Sequence, residues 1–95
     1  MILEELVSKY IASCEQALRE LAISETCTKI GQTEVAKVVE SVKAYLQDAK
    51  YYKDKKEFEV SLASVSYCEG LLDALKMLGA VRFEWPTKPK GKSER

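Results

Sequence analysis

Three long stretches of this chain space their apolar residues at alternating steps of three and four, and that spacing limits the fold more than any other feature. A step averaging 3.5 residues keeps apolar side chains on one face of an α-helix, which must then be buried against another apolar surface. Leu3, Val7, Tyr10, Cys14, Ala17 and Leu21 form the first row, widened by Leu6, Ile11 and Leu18. Val35, Val38, Val42, Tyr45, Ala49 and Tyr52 form the second, backed by Val39 and Leu46. The third stretch, over residues 57–78, is apolar on two sides. One stripe holds Phe58, Leu62, Val65, Cys68 and Leu72 and shades into Leu75; the other holds Val60, Ala63, Tyr67, Leu71, Ala74 and Leu78. With 95 residues there is room for one domain with a modest core. The economical packing is an all-α, up-and-down three-helix bundle.

The breaks between the helices carry their own signals. Residues 24–33 mix Ser, Thr, Cys and Gly without a period, so they read as a connection, with Gly31 as a turn and Thr33 as the cap of the second helix. The charged turn over 53–57 admits two readings, Asp54 and Glu57 as a capping box or Lys56 as a left-handed helix stop. Gly79 is a good stop for the third helix. After it, Val81, Phe83 and Trp85 alternate with Arg82 and Glu84, which predicts an extended segment lying on the bundle. The expected organisation is a three-helix bundle with an extended C-terminal segment over 1–85 and a basic disordered tail over 86–95.

Composition excludes several function classes. Lys plus Arg and Asp plus Glu number 15 each, so net charge gives no reason to expect nucleic acid as a partner. The asymmetry is local: Lys88, Lys90, Lys92 and Arg95 stand against Glu94 in the tail. No apolar run is long enough to span a bilayer, and the first residues lack the pattern of a signal peptide, so the expected compartment is the cytoplasm. Three unpaired cysteines, Cys14, Cys27 and Cys68, fit that placement. The absence of histidine removes the usual partner of a cysteine nucleophile or a zinc ligand set, and no catalytic residue, metal site or cofactor is predicted.

The run Ala44-Tyr-Leu-Gln-Asp-Ala-Lys-Tyr-Tyr52, followed by Val65-Ser-Tyr-Cys-Glu-Gly-Leu-Leu-Asp-Ala-Leu-Lys-Met-Leu-Gly79 and Phe83-Glu-Trp85, resembles the archaeal family catalogued as domain of unknown function 357. The resemblance covers residues 33–85 well and the first helix in character only. It implies a left-handed, spectrin-repeat-like three-helix bundle and no assigned activity, with related domains joined to nucleotidyltransferase-like modules. Lys56 stands where the family leads one to expect Gly, and Cys68 where it leads one to expect Ala.

Two function classes follow from the residues. As a noncatalytic interaction module, the chain would self-associate or dock a partner helix through Val60, Ala63, Tyr67, Gly70, Leu71, Ala74 and Leu78. Gly70 enters that set because a glycine inside a helix costs roughly 1 kcal/mol relative to Ala, a cost that close approach of another backbone would explain. As an accessory ligand-binding or catalytic domain, the chain would use Glu69 and Asp73, with Lys76 and Tyr67 beside them. A carboxylate held among Phe58, Leu62, Val65 and Leu72 would need a partner and would be drawn toward its neutral form. The bland reading of Glu69, Asp73 and Lys76 is a helix-surface ridge of ordinary ion pairs. RNA contact through Lys50, Lys53, Lys55, Lys56 and the basic tail is a third expectation, opposed by the acidic residues interleaved with those lysines.

Overall fold

The computed structural model describes residues 2–24 and 31–86. Helix α1 spans Leu3–Glu20, α2 Gln32–Asp54 and α3 Phe58–Met77, and they pack as an up-and-down three-helix bundle. Two short strands, β1 (Ala22–Ile23) and β2 (Val81–Arg82), pair antiparallel, with Ala22 opposite Arg82 and Ile23 opposite Val81. The Ser24 amide donates to the Ala80 carbonyl at 2.9 Å and continues the ladder. Residues 87–95 of the basic tail and Cys27 lie outside the described residues.

Helix α3 is the element both others pack on, most extensively α2. The core takes Val7, Ile11, Cys14 and Ala17 from α1 and Val35, Val39, Val42, Leu46 and Ala49 from α2. From α3 it takes Val65, Cys68, Leu72 and Leu75, and Ala80, Val81 and Phe83 close its end. The expected inward row of α2 is therefore corrected. Val39 and Leu46 are in the core, whereas Val38 and Tyr52 are half-buried and Tyr45 is exposed. A phenol ring stays at the edge, where its hydroxyl remains in water, and leaves the buried positions to aliphatic side chains.

Two polar side chains fix the register of α2 and α3. The Ser61 hydroxyl donates to the Ala49 carbonyl at 2.6 Å, and the Cys68 thiol donates to the Val42 carbonyl at 3.3 Å. Both donors are fully buried, and donors and acceptors repeat with the same heptad step in opposite chain directions. That is the pattern of an antiparallel pair. Ser61 thus takes the core position expected for Leu62, which is half-buried.

The α2–α3 turn selects the left-handed reading. Lys56 has φ 63°, its amide bonds to the Lys53 carbonyl at 2.9 Å, and the Glu57 amide bonds to the Tyr52 carbonyl at 2.9 Å. This is a Schellman stop. The same pair of bonds ends α3, from Gly79 (φ 75°) to Lys76 and from Ala80 to Leu75. Lys56 pays the left-handed strain that Gly79 avoids. At the start of α2, Gly31 rather than Thr33 is the cap residue, and it makes no side-chain bond; Thr33 lies in the first turn. At the end of α1, Leu21 has left the helix with ψ 134° to lead into β1.

Candidate functional site

The ridge of Glu69, Asp73 and Lys76 does not assemble into one site. Asp73 accepts a hydrogen bond from the Trp85 indole N–H at 2.8 Å. The Lys76 ammonium lies 3.6 Å from a Glu84 carboxylate oxygen and 5.2 Å from the centroid of the Phe83 ring. Phe83 and Trp85 in turn meet edge to face, with centroids 5.0 Å apart. These two members of the ridge therefore hold the C-terminal segment against α3. Glu69 is half-buried and joins neither contact.

Burial pushes the Cys14 thiol up to about 12, with smaller contributions from Cys68, Glu69 and Glu15. Burial likewise pushes Cys68 up to about 11, against the lowering effect of its own backbone hydrogen bond. Neither thiol is poised as a nucleophile at neutral pH. Among the described residues no cluster of three or more His, Cys, Asp or Glu side chains is placed to hold a metal ion. Among the described residues an open concavity lies beside Leu3, Phe58 and Val60, and another beside Ser24, Lys76 and Phe83. Neither is lined by Glu69 or Asp73.

Four tyrosines of α2 and α3 form two separate pairs. Tyr45 on α2 meets Tyr67 on α3 edge to face at 4.6 Å, and Tyr51 meets Tyr52 at 5.1 Å. The Lys55 ammonium stands 5.3 Å from the Tyr51 ring.

The second stripe of α3 remains open. Val60 is 44% exposed, Tyr67 52% and Leu78 63%, while Leu71 is half-buried and Ala63, Ala74 and Gly70 are exposed. Packing inside the bundle does not account for Gly70, since a Cβ built there meets nothing within 4 Å. The bundle thus presents a bare apolar face built by α3 and continued by Tyr45 of α2. Ser61, which sequence reasoning missed, anchors the opposite face of the same helix. Its signal was positional: Ser61, Val65, Cys68, Leu72 and Leu75 keep the alternating steps of four and three.

These features define a small all-α bundle whose most distinctive surface is the outer face of its third helix. The chain belongs to the family described as "Protein of unknown function (DUF357)", whose model matches residues 9–81. The match takes in more of α1 than the residue resemblance did and stops before Phe83. No curated protein and no solved structure matches the chain. Among the described residues no helix is long and apolar enough to cross a membrane.

Proposed function

We propose that this chain is a noncatalytic interaction module of the cytoplasm that docks an apolar helical surface on the outer face of α3. The supporting observation is the exposure of Val60, Tyr67 and Leu78 on one stripe of a helix whose other face is fully packed. Large apolar side chains left exposed along one stripe of a helix mark a place of contact more often than singly scattered ones do. Asp73 and Lys76 are engaged with Trp85 and Glu84, which leaves a ligand-binding or catalytic role for Glu69 and Asp73 with less support than docking. Residues 1–85 would act as the docking unit and 86–95 as a basic solubilising tail.

The native mass of the chain in extract from its own cells tests this reading. The wild-type chain should run well above the mass of the monomer, and Ala74→Glu should run as the monomer while keeping its helical signal. Position 74 is exposed, so the substitution places a charge on the face without disturbing the core. Wild type and variant both running as monomers would remove the docking function.

A further inference from the structure

We infer that residues 84–86 are a latch on α3, held shut by the hydrogen bond from Trp85 to Asp73, which opens and closes while the three-helix bundle stays folded. The chain running out of β2 is firmly fixed only as far as Phe83. Ala80, Val81 and Phe83 are buried in the core and anchor the segment. Beyond them Glu84 is exposed, and Trp85 and Pro86 are half-buried. The backbone of residues 84–86 makes no backbone hydrogen bond to another described residue. Side chains alone hold this part down.

The indole N–H of Trp85 donates to Asp73 at 2.8 Å, Glu84 stands 3.6 Å from the Lys76 ammonium, and the Trp85 ring meets Phe83 at 5.0 Å. The ion pair contributes little, since the Glu84 side chain is 89% exposed and water competes for both partners. The indole bond is the directional contact, and its charged acceptor makes it stronger than a neutral pair. Against it stands the entropy of ordering residues 84–86 and a large side chain. Pro86 lowers that cost, because the residue before a proline is restricted to extended backbone whether the latch is open or shut. Opposing terms of similar size put the two arrangements near balance, at the low end of the stabilities over which proteins open locally.

Opening alters α3 at a defined place. With the latch shut, Asp73 is engaged by Trp85, and Lys76 by Glu84 and the Phe83 ring. With it open, the Asp73 carboxylate returns to water one helical turn from Glu69, and Lys76 keeps the Phe83 ring alone. The latch therefore sets whether the carboxylates at positions 69 and 73 stand unengaged together on one side of the helix. It is an internal contact that occupies this ridge.

Trp85 is the sole tryptophan of the chain, so its fluorescence reports the latch while circular dichroism reports the helices. In a urea titration of the full chain, Trp85 emission should move to longer wavelength at a lower midpoint than the helical signal. Asp73→Ala removes the acceptor at an exposed position where Ala is a good helix former. It should raise the open-to-shut ratio roughly tenfold and lengthen the emission wavelength of the folded chain, with the helical midpoint unchanged. Asp73→Asn keeps a carbonyl acceptor and should return the emission toward that of wild type, which separates the hydrogen bond from the charge. Coincident transitions in wild type, or an Asp73→Ala emission equal to that of wild type while the bundle is folded, would overturn the latch. So would a fall in the helical midpoint of Asp73→Ala that matches the change at Trp85, since the segment would then belong to the bundle's single folding unit.

Discussion

The two faces of α3 are close in apolar content and opposite in fate. The inner face, Ser61, Val65, Cys68, Leu72 and Leu75, is buried, and the outer face, Val60, Ala63, Tyr67, Gly70, Leu71, Ala74 and Leu78, is left largely in water. What distinguishes them is the small polar groups. Ser61 and Cys68 give α3 two hydrogen bonds to carbonyls of α2, and those bonds are available on one side of the helix only. Apolar periodicity therefore identifies both faces of such a helix, and buried donors of the right size identify which one turns inward.

Substitutions on the two faces should separate them sharply. Leu72→Ala on the inner face should lower unfolding free energy by about 2 to 5 kcal/mol, read as a fall in the urea midpoint, because Leu72 is fully buried and its removal leaves a cavity. Ser61→Ala should lower it by about 1 kcal/mol, the net worth of one hydrogen bond whose acceptor retains its helical partner. Gly70→Ala on the outer face should raise the stability of the monomer by roughly 0.5 to 1 kcal/mol, since Ala relieves the backbone cost and meets no neighbour. Val60→Ala should change monomer stability by no more than about 0.5 kcal/mol. A Val60→Ala loss as large as that of Leu72→Ala would erase the distinction.

A pH profile sharpens the same comparison. The Cys68 thiol is raised from 9.0 to about 11 in the folded chain, so the folded state holds its proton more tightly than the unfolded state does. Its contribution is complete below about pH 9 and is lost as pH rises toward 11. Wild type should therefore lose stability faster than Cys68→Ala across that window, in matched denaturant titrations. Parallel curves for the two proteins would mean that the thiol is not held neutral by burial.

The three helices and the C-terminal segment were legible because each carries a sustained period, 3.5 for the helices and 2 for Val81, Phe83 and Trp85. The strand pair was not. Ala22–Ile23 is too short to have a period, and its partner Val81–Arg82 is far away in the chain. The inward row of α2 was misread because tyrosine counts as apolar in a periodicity argument, although its hydroxyl keeps Tyr45 and Tyr52 at the edge. Ser61 escaped for the converse reason: a polar residue at a core phase does not register as core. The ridge of Glu69, Asp73 and Lys76 could be placed on one side of the helix. That Trp85 and Glu84 would fold back onto two of the three depended on a tertiary contact no local spacing contains. The left-handed turn at Lys56 was one of two stated choices, and the positive φ of Lys56 with the bond from the Glu57 amide to the Tyr52 carbonyl decides between them.

Whether the outer face of α3 serves association and not folding is decided by Ala74→Glu. Native mass in extract and a urea unfolding curve of the purified chain should be run on wild type and variant together. Wild-type chain should run well above the monomer mass, the variant should run as the monomer, and the two unfolding midpoints should agree. A variant that associates as the wild type does, or one that is monomeric only because its midpoint has collapsed, would contradict it.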